Sequence, residues 1–306
     1  MKKILIKALN DPFYALHVLK TRYINLSFRR LIFTNTKEFR SESDNGLYSG
    51  AIIKALNNQK SFEKFKRHYS YRDILEHVNR EHGGDYLEIV RKRKDGLIEK
   101  AIINVLRSDD LGKPIKYKYS GIDFPLSPTT LRYVKVASDL NGLFPGDLCN
   151  VAEIGCGYGG QAYVNDQLLN VEMTTLFDLP FVNKLIERYL NALLMKGAFK
   201  TISINQAISE NYDLVISNYA FSELPSALKN VYIKKVLSHS SRGYLTMNSG
   251  LGGASSEGKM TLDELREKLP EFKVYKEDPL SSTFNYIIVW GHNTEFANSN
   301  MHLKKI

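Results

Sequence analysis

The stretch V-A-E-I-G-C-G-Y-G-G, residues 151–160, constrains this chain more than any other. A short apolar run ends at Ile154, and glycines then recur at 155, 157, 159 and 160 ahead of a helix-compatible segment. Glycine reaches left-handed backbone conformations at little cost. Gly155 thus permits a tight turn, Gly157 a close approach of backbone to a ligand, and Gly159 or Gly160 close packing of the next helix. A second apolar run ends in Asp178, 23 positions after Gly155. A carboxylate at the end of a second strand can accept both hydroxyls of a ribose. Strand, turn and downstream Asp together predict a site for an adenosine-bearing ligand; the bare alternative is a strand-to-helix turn that binds nothing.

Such a turn needs a sheet around it. Apolar runs at 150–154, 173–177, 201–204, 214–217, 244–247, 272–275 and 285–290 predict seven short strands alternating with helices. The clearest helix carries Val182, Leu185, Ile186, Tyr189, Leu190, Leu193 and Leu194 on one face, with Gly197 as its stop. That alternation implies an α/β fold with a doubly wound, mostly parallel sheet. Ahead of the first strand, Ser127 as N-cap and Pro128 at the first helical position start a helix whose stripe is Leu131, Val134, Ala137 and Leu140, closed by Gly142. Earlier still the periodicity is helical: Ala51, Ile52, Ala55 and Leu56 form one stripe, and Leu97, Ile98, Ala101, Ile102, Val105 and Leu106 another. The expected organisation is a helical N-terminal region over 1–110 and a ligand-binding α/β domain over 111–306.

Composition narrows the class. With 306 residues, 43% hydrophobic and 25% charged, the chain is ordinary globular material able to bury roughly 75% of its unfolded surface. Two cysteines, Cys149 and Cys156, cannot build a disulfide framework, and no apolar run approaches the ~18 residues of a membrane span, so a cytoplasmic protein is expected. The net charge of +9 is uneven: residues 1–110 hold 22 basic and 14 acidic residues, and the remainder 20 and 19. Such a surface suits nucleic acid, an anionic membrane face or a phosphorylated substrate. Arg91-Lys92-Arg93-Lys94 has no interleaved aromatic residues and reads as a solvated helix face, so nucleic acid is not expected. The basic segment Met1–Phe33 suits either peripheral membrane contact or packing on the main domain.

The glycine spacing alone fits both a dinucleotide fingerprint and the E-x-G-x-G-x-G loop of S-adenosylmethionine enzymes. Glu153 helps to separate them. Its charge in the first strand would oppose a pyrophosphate but favour a cofactor carrying an ammonium and a sulfonium. With S-P-T-T-L-R-Y at 127–133, E-I-G-C-G-Y-G-G-Q at 153–161, L-F-D-L-P at 176–180, S-N-Y-A-F-S-E-L at 217–224 and N-Y-I-I-V-W-G at 285–291, the chain resembles class I S-adenosylmethionine-dependent methyltransferases. More narrowly, it resembles the sugar O-methyltransferase family of bacterial surface-glycan gene clusters. Cys156 departs from the pattern, where glycine is commoner. The resemblance implies a Rossmann-like seven-stranded sheet with an antiparallel last strand, S-adenosyl-L-methionine as cofactor, and methyl transfer to a sugar hydroxyl. By position, Glu153, Gly155, Gly157 and Gly159 would border the methionine part, Asp178 the ribose, Leu179 the adenine face, Asn205 or Gln206 the adenine edge, and Asn218 the sulfonium.

A protonated sugar hydroxyl is a poor nucleophile, so a positioned base is expected. Glu223, after the fourth strand, is the candidate, with a role at the N-terminus of the next helix as the alternative. Its neighbour Ser222 cannot act as a base. Arg132 and Tyr133 precede the first strand, where Arg132 can grip a cofactor carboxylate or an acceptor phosphate, or be a surface arginine. Asn285 opens the last strand and either faces the acceptor or makes a turn; Gly250, Gly252 and Gly253 read as a loop able to close over it. The seven histidines form no recognisable constellation, although a fold could bring one into the cleft, and no metal is expected. The expected acceptor is a nucleotide sugar or a lipid-linked glycan. The alternatives are an NAD-dependent oxidoreductase and a non-catalytic, methyltransferase-like binding subunit.

Overall fold

Runs rich in β-branched and aromatic residues assemble into one seven-stranded sheet in the computed structural model, which describes residues 47–251 and 259–304. The Met1–Phe33 segment, Gly252 and Gly253 lie outside the described residues. The strands are β1 (Leu148–Ile154), β2 (Val171–Phe177), β3 (Ala198–Ile202), β4 (Leu214–Asn218), β5 (Gly243–Met247), β6 (Lys273–Lys276) and β7 (Tyr286–Trp290). Their order is β3-β2-β1-β4-β5-β7-β6. The first five strands pair in parallel, and β7 runs antiparallel to both β5 and β6, as the resemblance implied for the last strand. Helices cover both faces, so β5 and β7 are buried along their whole length and read as unbroken apolar runs, not as alternation. The edge strand β3 carries Lys200, which is ion-paired to Glu210 at 2.6 Å, and such charge blunts an open edge.

Chain order reverses between β1 and β4. One half of the sheet grows outward through β2 and β3, the other through β4 and β5, leaving a crevice at the carboxyl ends where this class of fold binds ligands.

Several local expectations need correction. The helix that Ser127 caps runs over Pro128–Leu143, passing through Gly142 without stopping. A Cβ at Gly142 would lie 2.0 Å from the Phe296 ring, so this glycine makes room for packing and is no terminator. The Pro180–Leu193 helix is closed by Leu194 in the left-handed region (φ 60°), not by Gly197. At Gly197 a Cβ would meet the Val171 carbonyl oxygen at 2.5 Å, and its N–H donates to Asp166 Oδ1. Ile204 leaves the third strand for a short turn, Ile204–Gln206. The stripe expected to run from Leu97 to Leu106 is divided into the helices Leu97–Asn104 and Leu106–Asp110.

The helical region that precedes the sheet does not stand apart from it. Ala51, Ile52 and Ala55 of the Leu47–Asn57 helix share one hydrophobic cluster with Val182, Leu185 and Ile186. Arg188 donates to the carbonyls of Ala55 and Leu56 at 2.8 and 2.7 Å, which satisfies the orphan carbonyls at that helix end. Arg93 is not solvated: it pairs with the fully buried Asp139 at 2.5 Å, and Lys135 and the Tyr244 hydroxyl complete the carboxylate's shell.

Candidate active site

A cavity of about 1120 Å³ opens at the carboxyl edge of the sheet. Its floor is made by the segments following β1, β2, β3, β4 and β5, one wall by the connection and helix spanning residues 73–86, and its far rim by residues 281–285. Gly155, Gly157 and Gly159 all adopt left-handed backbone angles (φ 73°, 62° and 84°) that side-chain-bearing residues rarely take. Space adds to this, most strongly at Gly155. A Cβ at Gly155 would lie 2.0 Å from Ala220 Cβ, one at Gly157 3.0 Å from Leu75, and one at Gly159 3.2 Å from Ile186 and Leu190. Gly155 and Gly157 line the cavity, while Gly159 packs behind it and starts the Gly160–Leu168 helix.

Asp178 closes this turn. Its Oδ2 accepts from Gly157 N at 3.0 Å and its Oδ1 from Leu179 N at 2.8 Å, and the Cys156 N–H adds to this shell. Burial pushes its pKa up to about 6, against the pull of these N–H donors. Glu153 lies in β1 beneath the turn and off the cavity wall, 3% exposed, with Oε2 lacking any hydrogen-bond partner. Burial first, and then the charge of Asp178, raise it to about 8. At neutral pH Glu153 is therefore mostly protonated, in contrast to the charged carboxylate expected from the sequence. Cys156 is buried with Sγ 3.1 Å from the Glu153 carbonyl oxygen, and burial pushes its thiol pKa well up, which disfavours the thiolate.

Leu179 and Asn205 line the cavity; Gln206, the next residue of the same turn, does not. Asn218 ends β4 on the wall, where its Nδ2 donates to Gln161 Oε1 at 3.3 Å. Glu223 also reaches the wall, with Oε1 accepting from Asn248 Nδ2 at 2.9 Å. The Ala220–Glu223 turn that presents it is fixed through Ser222. This fully buried hydroxyl donates to the Tyr219 carbonyl or to Asn248 Oδ1, each at 2.6 Å, and the Ser222 carbonyl accepts from Lys229 Nζ at 2.9 Å. Burial and the Lys259 charge lower Lys229 to about 8.

Arg132 is buried, 7% exposed, and still lines the cavity. Its guanidinium lies 5.4 Å from the Tyr133 ring centre and 5.9 Å from that of Tyr219, and Nε has no hydrogen-bond partner. Tyr133 itself is off the wall and packs edge-on to Tyr158. Asn285, 4% exposed, lines the rim and donates to Glu277 Oε2 and Ser281 Oγ at 2.9 and 2.8 Å.

Sequence reasoning missed Tyr219 and Glu277. Tyr219 holds φ 68°, a strained conformation for a residue with a side chain, and its phenol donates to Glu277. The only linear signal was its place directly after Asn218. His77, His82 and Tyr86 are likewise brought to the cavity by the preceding helical region, and no local motif marks them.

No protein-family profile matches this chain, and no curated protein matches it. Solved structures do. The pyocyanin biosynthetic protein PhzM is 13% identical over 53% of this chain and 56% of its own, with a TM-score of 0.39, so the match spans little more than half of that protein. Magnesium protoporphyrin IX methyltransferase (ChlM) from Synechocystis, solved with bound SAH, is 18% identical over 52% of this chain and 80% of its own, with a TM-score of 0.38. An S-adenosylmethionine-dependent methyltransferase from Clostridium acetobutylicum is 11% identical over 52% and 88%, with a TM-score of 0.39. Among the described residues no helix is long and apolar enough to cross a membrane, and no group of three or more His, Cys, Asp or Glu is placed to hold a metal ion.

Proposed function

We propose that this chain transfers the methyl group of S-adenosylmethionine to a sugar hydroxyl, on a nucleotide sugar or a lipid-linked intermediate of glycan assembly. One observation carries the reading: a left-handed glycine turn, clasped by Asp178, opens into a cavity larger than a single cofactor needs. The residues fit the group. A side chain at Gly155 would collide with Ala220 and one at Gly157 would press on Leu75, and the Asp178 carboxylate stands at the turn to accept from ribose hydroxyls. Leu179 and Asn205 would flank the adenine, and Asn218 the sulfur end.

When bound, the cofactor supplies an electrophilic methyl group on a positively charged sulfur. The chain's own part is alignment and proton removal. Glu223 takes the acceptor hydroxyl proton on its carboxylate while Asn248 holds Oε1 in place. Asn285 and Ser281 on the rim, with Phe284 exposed at the mouth, offer hydrogen-bonding groups beside an aromatic face, which suits a polyhydroxylated ring.

Calorimetric titration with S-adenosylhomocysteine tests the cofactor, with NAD as the competing arm. Binding of the homocysteine compound that weakens about 100-fold or more in Asp178→Ala is expected, since two hydrogen bonds to a charged acceptor are lost. Binding of NAD instead would replace the reading with an oxidoreductase. Once an acceptor is found by screening sugars, Glu223→Gln should lower kcat on the order of 10²-fold or more with cofactor affinity unchanged; an unaltered kcat would remove Glu223 from the role.

A further inference from the structure

The wall of the cavity built by residues 73–86 is not explained by cofactor binding. Arg132 contributes a buried guanidinium whose Nε is unpartnered, and among the described residues no carboxylate lies within salt-bridge distance of it; its neighbours are the rings of Tyr133 and Tyr219, with a hydrogen bond to Tyr133. A buried cation without a counter-charge is costly unless a ligand supplies one. His77 and His82 line the same cavity. The Arg80–Arg93 helix starts there too, and its N-cap residue Asn79, also on the wall, accepts from His82 N at 2.8 Å. That leaves the other first-turn N–H groups, at the positive end of a 14-residue helix, without intrahelical acceptors. His77 Nδ1 lies 3.1 Å from the Ile74 carbonyl, which can only accept, so the proton sits on Nδ1 and Nε2 presents a lone pair when the ring is neutral.

We infer that Arg132, His77, His82 and the start of the Arg80–Arg93 helix form a subsite for an anionic group, a phosphate or carboxylate, carried by the acceptor. The inference rests on the methyl-transfer reading only in naming the ligand an acceptor. The adenosyl-fitting features lie at Gly155, Gly157 and Asp178 on the sheet edge, whereas His77, Asn79 and His82 reach the cavity from outside the sheet. Burial, and then the Arg132 charge, hold the His77 imidazole below its usual value of 6.5, while Asp73 pulls it up. The groups facing it are thus Arg132, Asp73 and the Ile74 carbonyl, with His82 and Tyr86 on the same wall. An anion seated beside Arg132 offsets that charge and raises the His77 pKa, and the protonated ring is a second cationic donor.

The test is a titration of the full chain with inorganic pyrophosphate, followed by the His77 imidazole resonance, with and without S-adenosylhomocysteine. Saturable binding that raises the His77 pKa is expected, and it should weaken about tenfold in Arg132→Lys, where the forked donor is lost. His77→Gln should weaken it severalfold. The absence of saturable binding would overturn the subsite, as would affinity indifferent to both substitutions. So would an Arg132→Lys chain that loses S-adenosylhomocysteine but keeps pyrophosphate, because the guanidinium then serves the cofactor's carboxylate. Pyrophosphate binding that follows these variants in a chain with no affinity for S-adenosylhomocysteine would leave the subsite standing and remove the methyl-transfer reading.

Discussion

Two carboxyls at the glycine turn set how the free protein responds to pH. Asp178 is raised from 3.8 to about 6, by burial above all, and Glu153 from 4.5 to about 8, by burial and then by Asp178. A carboxyl whose native pKa is raised binds its proton more tightly in the folded state. Its contribution is complete below the unfolded value and is lost as pH rises through the native one. Stability should therefore decline between about pH 4 and pH 6 on account of Asp178, and on towards pH 8 on account of Glu153. Urea unfolding at pH 5, 6.5 and 8 should show that decline in the natural chain and a shallower one in Glu153→Gln. Equal slopes would mean that Glu153 does not carry the proton. That Glu153 belongs to the turn was legible in the sequence, although burial holds it mostly protonated at neutral pH and not as the negative charge expected. That it lies beneath the turn and off the cavity wall was not, because the burial that shifts its pKa comes from strands and helices distant along the chain.

At the scale of an element, the Pro128–Leu143 helix shows what ties the preceding region to the sheet. Nearly every residue of it is buried, polar ones included, because the Arg80–Arg93 and Gly160–Leu168 helices both pack against it. Asp139 stands at that junction, fully buried, accepting from Arg93 and Lys135 on one side and from Tyr244 of β5 on the other. Burial alone would raise its pKa; the two cations more than offset this and hold it low. Asp139→Asn would leave two buried cations short of their counter-charge and should cost about 3–5 kcal/mol, measurable as a loss in denaturant midpoint at constant m-value. A loss below about 1 kcal/mol would place the pair among weak surface bridges. The helix start at Ser127–Pro128 was readable from capping chemistry, and so was the apolar stripe. Its end was misread because Gly142 carries two meanings in sequence, stop signal and packing gap, and only the approach of Phe296 chooses between them.

Over the whole molecule, residues 47–110 and the sheet behave as one packed body in the described residues. A single hydrophobic cluster joins Ile52, Phe65 and Tyr71 to Tyr158 of the glycine turn and to Tyr189. Lys66, 1% exposed, is held by the Ser108 carbonyl and the Tyr189 hydroxyl at 2.6 and 2.9 Å, with its ammonium 4.5 Å from the Tyr158 ring centre. Trp290, the sole tryptophan, sits in β7 and reports on the far side of the sheet, whereas far-ultraviolet circular dichroism is weighted to the helices. Thermal or urea unfolding followed by both signals should give coincident transitions. Two separated transitions would show that the helical region folds as a unit of its own.

The amino-acid sequence by itself determined the class of sheet, the glycine turn and the carboxylate that closes it. These depend on local rules: β-branched runs favour strands, left-handed turns require glycine, and a short polar residue ahead of proline starts a helix. Only the tertiary structure decided which residues share the cavity. Arg132, His77 and Tyr219 are separated by up to 142 positions yet line one space, and nothing in their immediate neighbours announces it. Their meeting follows from the packing of the helical region onto the carboxyl edge of the sheet, a long-range burial of apolar surface that no local pattern encodes.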